Sequence, residues 1–275
     1  ERDIVAQYEM AKNRYAIYEA YSDTTCLVEL DESPPENINQ HALHAALEIA
    51  LLLKCNIIDS IHVMRKQVLD FSNTSGFQRT ALVAFNGRVN DVRIQTICLE
   101  EDAARKIKEA KDHVVYRLDR LGIPLIEIAT YPDIDTPEKA KDIAEYIGMV
   151  LKSTGKVKSG IGTIRQDLNV SIKNGARVEI KGVQELNLIP KIIALEVERQ
   201  LNLVNQGLKV TLEVRNANPD GTTSFLRPMP GSARMYPETD LPLLKISRDD
   251  INESKKTLPK STEEFEKELS GKGLN

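Results

Sequence analysis

Polar and aliphatic side chains alternate between residues 162 and 173, which predicts a strand with one chemical face. Successive side chains of a strand point to opposite faces, so the aliphatic members share one face and the polar members share the other. An Asn-Gly pair follows, and Ala176 to Lys181 offers a second, antiparallel arm. A face of this polarity suits the binding of a cation and of phosphate. A solvated face of an antiparallel sheet is the alternative interpretation.

The turn between the two arms decides which residues lie opposite each other. A two-residue Asn-Gly turn pairs Val170 with Glu179, whereas a three-residue loop with its glycine in the left-handed conformation pairs Asn169 with Glu179 and Asp167 with Lys181. We favour the second register because it collects two carboxylates, two arginines and a lysine on one face. These residues are Arg165, Asp167, Arg177, Glu179 and Lys181.

Three more acids lie in apolar surroundings. Glu127 sits within the run IPLIEIA of residues 123–129, and Glu100 and Glu101 end a strand-like run. A lone carboxylate in such a place is costly unless it is paired or binds a metal. Singly, each acid is better explained as a strand-end or ion-paired residue. Together with Asp167 and Glu179 they predict a site for a hard divalent cation such as Mg²⁺, shared with substrate phosphates. Phosphate contacts are then expected from Arg165, Arg177 and Lys181.

The elements that must position these residues form an α+β pattern without regular βα alternation. Helices are predicted over residues 1–14, 39–54, 136–153 and 188–205, with caps at Asn37 or Asn39 and at Thr136. Strands are predicted over residues 15–21, 57–70, 77–85, 89–100, 114–118 and 123–130, with a hairpin turn at Asn86-Gly87. Residues 207–244 are predicted to wind over the surface, and Ser261 to cap a terminal helix. The economical architecture is one large antiparallel sheet with flanking helices.

Composition narrows the function classes. The 275 residues are 41% hydrophobic, which is enough for a proper core, and no apolar run is long enough for a membrane helix. Three widely spaced cysteines argue against a disulfide framework and for a reducing, cytoplasmic location. The net charge of -4 argues against a general nucleic-acid binder, although other domains of a longer protein could contact such a substrate. Since the chain begins with Glu1 rather than Met, we expect its natural N-terminus to be absent.

Other motifs are weaker. Residues 73–79 form a loop with donors beside a glycine that could cradle an anion, but a polar hairpin turn explains them as well. His41 and His44 have a possible metal spacing, but a solvated helix face explains them better. Cys98 could be a nucleophile, but it lacks a histidine motif, and a small core residue is the better interpretation.

Five ordered segments give the chain a family resemblance. They are ICLEEDAA at residues 97–104, YRLDRLGIPLIEIAT at 116–130, GTIRQDLNVS at 162–171, RVEIKGVQEL at 177–186 and RMYPETD at 234–240. They resemble the tRNA-dependent amidotransferase family formed by B-type and E-type subunits, over about residues 15–245. The segments DTTCLVELD at residues 23–31, SNTSGFQRT at 72–80 and VQEL at 183–186 are similar to the archaeal E-type branch of that family.

The resemblance implies a cradle domain related to glutamine synthetase and the guanidino kinases. It implies that ATP phosphorylates the γ-carboxylate of glutamate misacylated on tRNA(Gln), after which ammonia displaces phosphate to give glutaminyl-tRNA(Gln). Carried over by motif, the expected Mg²⁺ ligands are Glu100, Glu101, Glu127, Asp167 and Glu179. Phosphate contacts are expected from Arg165, Arg177 and Lys181, and the loop with Ser75, Gly76 and Gln78 is expected to line the site.

The resemblance also implies partners. Nothing in the chain resembles a glutaminase or asparaginase site, and the family pairs its E-type members with an asparaginase-like D-type subunit that supplies ammonia, so a hetero-oligomer is expected. Residues 1–245 are expected to form the cradle, without the family's N-terminal strand and without a synthetase-like insertion near residues 201–212. Residues 246–275 are expected to begin the helical region. Cys26 could share a Zn²⁺ ion with residues that precede this chain.

Two other classes of function stay open. One is an ATP-dependent carboxylate–amine ligase acting on a small molecule, and the other is a non-catalytic scaffold that binds another protein of the amidotransferase.

Overall fold

The fold is a mixture of helices and mainly antiparallel sheets, described by a computed structural model for residues 3–102, 104–120, 123–160, 162–231 and 233–260. The helices are α1 Ile4–Ala11, α2 Gln40–Leu52, α3 Pro137–Ser153, α4 Ile189–Asn205 and α5 Arg248–Lys256. The first nine strands are β1 Tyr15–Glu19, β2 Asn56–Ile57, β3 Ser60–Ile61, β4 Val63–Gln67, β5 Phe77–Val89, β6 Val92–Glu101, β7 Arg105–Glu109, β8 His113–Arg117 and β9 Pro124–Thr130. The other strands are β10 Gln166–Val170, β11 Val178–Val183, β12 Glu213–Ala217, β13 Thr223–Pro228, β14 Met235–Pro237 and β15 Leu244–Lys245.

The prediction of one large sheet is wrong. In the described residues the strands divide among a six-stranded sheet ordered β14-β4-β5-β6-β9 with β2 beside β5, a four-stranded sheet ordered β10-β11-β12-β13, and two smaller sheets. The long connection through α3 separates β9 from β10, so the chain starts a second sheet after it. Residues 207–244 do not merely wind over the surface, since they contain three strands and the start of a fourth. Their short alternating runs are hidden among Pro, Gly and Asn residues.

The hairpin turn between β5 and β6 of the six-stranded sheet lies later in the sequence than predicted. The Asn86-Gly87 pair lies within β5, and the two-residue turn is Asn90-Asp91, because Val89 lies opposite Val92. Gly87 is needed for close packing, since a Cβ there would lie 2.6 Å from the Leu53 carbonyl oxygen.

The polar hairpin has the favoured register. Asn169 lies opposite Glu179, and the pairing shifts between Gln166 and Leu168. Paired strands end at Val170 and Val178, so the loop is longer than predicted. The left-handed residue is Asn174, with φ of 65°, and not Gly175. Asparagine tolerates this conformation, which leaves the glycine free for another role.

Helices α2, α3 and α4 cover one side of the two large sheets. Ile49 of α2 and Ile143 of α3 pack with Ile97 of the six-stranded sheet. Ile192 of α4 packs with Val178 and other residues of the four-stranded sheet, and Ala140 of α3 joins the same cluster. Because α3 contributes to both clusters, it links the two sheets on their apolar side, and their polar faces lie on the other side.

Helix caps follow the local sequence. The Asn39 side chain accepts a hydrogen bond from Ala42 N at 3.1 Å, and the Thr136 hydroxyl accepts one from Lys139 N at 3.2 Å. Both predicted caps are confirmed. A capping box of Ser247 and Asp250 starts α5, whereas Ser261 lies outside the described residues. Within the described part of the chain, no helix has the length and apolarity needed to cross a membrane.

Gly175→Ala should destabilise the fold. Its Cβ would lie 2.4 Å from Gln200 Oε1 and 2.7 Å from Ile172 Cγ1, and Gln200 is fully buried. We expect a loss of about 1–3 kcal/mol in the free energy of unfolding, measured by urea denaturation. Gly148→Ala in α3 is the matched control, because a Cβ there has no neighbour within 4 Å and should stabilise the helix by roughly 0.5–1 kcal/mol. Equal effects of the two substitutions would contradict the packing described for Gly175.

Candidate functional site

One lysine joins the two acids of the polar hairpin. Lys181 Nζ lies 2.9 Å from Asp167 Oδ2 and 2.8 Å from Glu179 Oε1. The three side chains therefore share one face, as the favoured register predicts. Burial lowers and the two carboxylates raise the pKa of Lys181, and the net shift is upward, so the ammonium is charged at neutral pH.

A second lysine holds an acid on the six-stranded sheet. Glu100 is buried, and its Oε1 accepts hydrogen bonds from Lys66 Nζ at 2.5 Å and from the Thr80 hydroxyl at 3.2 Å. Thr80 lies directly opposite Glu100 across β5 and β6, so both side chains emerge on the same side. This side of the sheet lies opposite the one that packs on α2.

Glu127 links the two sets of charges. It lies opposite Cys98 across β6 and β9, and although the residue as a whole is exposed, neighbouring groups remove solvent from its carboxylate. Loss of solvent around the carboxylate is the largest cause of a raised pKa of Glu127, and the negative charge of Glu100 is the next. Asp167 of the other sheet raises this pKa further, whereas the positive charges of Lys66 and Lys181 lower it. The carboxylate thus senses charges from both sheets.

The charged face is defined here as Glu100, Glu127, Asp167 and Glu179 together with Lys66 and Lys181. Four of the five predicted acids belong to it. Among the described residues, no three acidic, histidine or cysteine side chains already form a group that could hold a metal ion. The lysines, not a preformed ligand shell, neutralise the carboxylates in this arrangement.

Glu101 points away from the charged face. Its carboxylate lies 3.3 Å from Arg79 Nη1, and Arg79 Nε also donates to Glu238 Oε2 at 3.1 Å. Arg65 makes two further bonds to Glu238 at 2.6 and 2.9 Å. Neighbouring residues of a strand face opposite sides, which explains why Glu100 and Glu101 separate. Burial raises the pKa of Glu101, and Arg79 partly offsets that effect.

The loop before β5 lies largely with Glu101. Ser75 and Glu101 line a cavity of about 20 Å³, which has room for about one water molecule. Gly76 has φ of 72° and makes the turn, and the Ser75 hydroxyl donates to the Phe77 carbonyl at 3.2 Å. Gln78 Nε2 donates to the Glu101 carbonyl at 2.8 Å.

The two predicted arginines differ in their surroundings. Arg165 is exposed and has no hydrogen bond or ion pair with any described residue. Arg177 directs Nε and Nη2 at the Met229 sulfur, at 3.2 and 2.9 Å. A thioether is a weak acceptor, so this guanidinium retains capacity for an anion.

Cys98 is unsuited to nucleophilic chemistry. Burial raises the pKa of its thiol to about 11, with further contributions from Glu127 and Glu100. The thiol is therefore protonated at neutral pH, which argues against a nucleophile. Cys98 is half-buried opposite Glu127, on the charged side of the sheet, so the interpretation of a core residue is not supported. Cys26, the predicted zinc ligand, is exposed, and its amide donates to Glu29 Oε2 at 3.1 Å.

Sequence reasoning missed three basic residues. Lys66 contacts Glu100, while Arg227 and Arg234 border the four-stranded sheet near Glu179. Lys66 stands between Arg65 and Gln67 in β4, so polar–apolar alternation gives no signal for it. Arg234 opens one of the family segments, but the segment alone does not indicate its role.

Comparisons with known proteins agree with the motif resemblance. The family model described as the GatB/GatE catalytic domain matches residues 11–252. The E-type subunit of glutamyl-tRNA(Gln) amidotransferase from Methanocaldococcus jannaschii is 55% identical over 224 residues, which cover 80% of this chain and 35% of the relative. The corresponding protein of Saccharolobus islandicus is 59% identical over 206 residues, which cover 74% of this chain and 32% of the relative.

A third relative is matched over more of its length. The E-type subunit of glutamyl-tRNA(Gln) amidotransferase from Archaeoglobus fulgidus is 38% identical over 384 residues, which cover 92% of this chain and 62% of the relative. That alignment is longer than the 275 residues of this chain, so the relative has residues inside the matched region without a counterpart here. The chain spans less than two thirds of the length of each of these relatives.

Alkylation of Cys98 can test the geometry of the charged face. Glu127→Gln removes a negative charge that raises the pKa of Cys98, so the thiolate fraction and the alkylation rate at pH 8 should rise. Lys66→Met removes a positive charge that lowers this pKa, so the rate should fall. We expect changes of roughly two- to tenfold, because one pKa unit is a factor of about ten in thiolate.

The measurement is peptide mass spectrometry after timed iodoacetamide treatment in EDTA. Cys26 and Cys55 in the same samples are internal controls, whose rates should not change. Equal Cys98 rates in all three proteins would show that Glu127 and Lys66 do not lie beside the thiol.

Proposed function

The chain belongs to the GatB/GatE catalytic domain family, and from this premise we propose that it carries the ATP-dependent site that amidates glutamate misacylated on tRNA(Gln). The observation that supports this proposal is the charged face, on which acids and lysines from two sheets influence one carboxylate. The relatives named as glutamyl-tRNA(Gln) amidotransferases supply the substrate class.

The chemistry explains why such a site is needed. A carboxylate is a poor acyl donor because its leaving group would be oxide. In the proposed reaction, a γ-carboxylate oxygen attacks the γ-phosphorus of ATP, and ADP leaves with the electrons of the broken P–O bond. Ammonia then attacks the acyl carbon, inorganic phosphate leaves, and glutaminyl-tRNA(Gln) remains after loss of a proton. The first step brings two anions together, so it depends on positioning and charge neutralisation.

Oxygen donors of the charged face fit Mg²⁺, which would neutralise the triphosphate when bound. The raised pKa of Glu127 supports this assignment, since a carboxylate that has lost solvent and lies near the negative charge of Glu100 is stabilised by a bound cation. The proposed ligands are Glu100, Glu127, Asp167 and Glu179. Glu101, also expected as a ligand, is instead proposed to fix Arg79 on the opposite side of the sheet.

Lys181 and Lys66 are proposed to have two roles. Each ammonium holds a carboxylate in place and supplies positive charge next to the position proposed for the phosphates. Arg165 and Arg177 are proposed to contact phosphate, since neither has a strong acceptor among the described residues. Gln78 is proposed to line the site, while Ser75 and Gly76 shape the neighbouring loop.

Ammonia is proposed to come from an asparaginase-like D-type subunit, and the enzyme is proposed to be a cytoplasmic hetero-oligomer. A Zn²⁺ ion at Cys26 stays a prediction that depends on residues outside this chain. The absence of a synthetase-like insertion near residues 201–212 is supported by the extra length of the Archaeoglobus alignment. The proposed cradle fold is supported by helices on one side of two sheets and charges on the other.

Substitution of the proposed ligands tests the function. Glu127→Gln and Asp167→Asn should each lower γ-phosphate transfer to misacylated tRNA at least about a hundredfold, because charge neutralisation in the transition state is lost. The assay follows conversion of Glu-tRNA(Gln) with ATP, Mg²⁺ and ammonium, using a full-length protein of this sequence type beside the 275-residue chain. Glu145→Gln on α3 is the matched control, because Glu145 pairs only with Lys141, at 3.4 Å, on the helix surface among the described residues.

The outcomes separate the candidate functions. Unchanged transfer in both variants would show that the metal assignment is wrong. ATP turnover with Mg²⁺ and a small acid, without any tRNA, would favour a small-molecule ligase. Failure of the full-length protein to bind Mg²⁺-ATP would favour a non-catalytic scaffold.

A further inference from the structure

Two arginines at the border of the charged face make no ion pair in the described part of the chain. Arg227 lies in β13, and its Nε is buried without a hydrogen-bond partner among the described residues. The second, Arg234, lies just before β14. A buried donor without a partner costs free energy, so a group that accepts from Arg227 is expected when the site is in use.

Strand register places Arg227 on the same side as the charged face. Asn169, Glu179, Val214 and Arg227 are successive partners across the four strands of the second sheet. Residues paired in this way emerge on one side of a sheet. Two strand spacings of about 4.8 Å separate Glu179 from Arg227, a distance that an arginine side chain can largely span.

Arg234 approaches the same place from the six-stranded sheet. Its carbonyl accepts from Gln67 N at 2.9 Å, and its Nη1 donates to the Gln67 carbonyl at 3.3 Å, which anchors it beside the end of β4. Burial and the positive charge of Arg227 lower the pKa of Arg234, whereas Asp3, Glu179 and Asp70 raise it. The register of β13 and the anchoring of Arg234 beside β4 thus direct two guanidinium groups to the same border of the charged face, where the charge of Arg227 acts on Arg234.

Asp3, Glu179 and Asp70 offset part of the positive charge at this half-buried position, and a bound anion would offset the rest. No described acid forms an ion pair with either guanidinium. Arg177, which directs its donors at the Met229 sulfur, lies on the strand arm next to Glu179 and adds a third cation with a weak partner.

We infer that Arg227 and Arg234 form an anion subsite that binds a phosphate group next to the charged face. A phosphate offers several acceptor oxygens, so it can accept from both guanidinium groups at once. The existence of the subsite follows from the arginines alone, whereas the source of the phosphate rests on the proposed function. That source is either the nucleotide or the backbone near the 3′ end of the RNA substrate.

Binding measurements on the whole 275-residue chain test this subsite. The probes are inorganic phosphate, ATP without Mg²⁺, and a short RNA ending in CCA. Arg227→Met and Arg234→Met should each weaken phosphate binding at least about tenfold, the effect expected from losing a charge-assisted hydrogen bond. Arg227→Lys keeps the charge and should retain part of the affinity. Arg88→Met is the matched control, because Arg88 is exposed and its side chain donates to the nearby Asn90 carbonyl.

The pattern of losses identifies the source of the phosphate. Weaker ATP binding with unchanged RNA binding assigns the subsite to the nucleotide, and the reverse assigns it to the RNA backbone. Thermal unfolding of each variant shows whether it is folded, and the affinities of Arg234→Met and Arg227→Lys carry the test if Arg227→Met unfolds. Phosphate affinity equal to that of the wild type in the folded arginine variants, or no phosphate binding by the wild type, would overturn the inference.

The test is separate from that of the proposed function. Glu127→Gln should lose γ-phosphate transfer but keep its affinity for inorganic phosphate. If no variant or wild-type protein transfers phosphate, but the arginine variants still lose phosphate binding, the subsite stands and the proposed reaction does not.

Discussion

The arrangement of the candidate site depends on one constraint, the cost in electrostatic free energy of holding several carboxylates on one face. Lys181 between Asp167 and Glu179, and Lys66 on Glu100, offset that cost with short ion pairs. The pKa of Glu127 is raised, first by loss of solvent around its carboxylate and then by the negative charge of Glu100. An arrangement of this kind is stable without a bound cation, yet one carboxylate is still poised to accept one. The lysines therefore have a structural role in addition to the phosphate-neutralising role proposed for them.

The scaffold makes this concentration of charge possible. Helices α2, α3 and α4 bury the aliphatic side of both sheets, so every second residue of the strands is free to be polar. The same alternation separates Glu100 from Glu101 and turns the latter into a partner of Arg79. A shift of one residue in β6 would exchange the two acids. The register of the strands thus determines which charged side chains share one side of the sheet.

Alternation and turn chemistry predicted the register of the hairpin, the caps at Asn39 and Thr136, and the placing of Asp167 and Glu179 on one face. These features depend on neighbours in sequence, which a single chain displays. The sequence analysis placed the turn at Asn86-Gly87 instead of Asn90-Asp91. Gly87 is required by its close contact with Leu53, 34 residues earlier in the sequence, and not by a turn. The division into two large sheets and the approach of Arg234 to Arg227 also depend on distant contacts. Local sequence patterns do not predict contacts between residues that are far apart in the sequence.

The charged face is acidic at one end and bordered by arginines at the other, and this separation of charge matters for the proposed chemistry. Carboxylates concentrate where β9 approaches the polar hairpin, whereas arginines border the far strand of the second sheet. An anionic substrate with a neutralising cation fits such a gradient, because its cation belongs at the acidic end and a free phosphate belongs at the basic end. Lys181 and Glu179 lie between the two ends, on the strand that joins them. A single strand, β11, therefore carries the residues that set the distance between the proposed cation position and the proposed phosphate position.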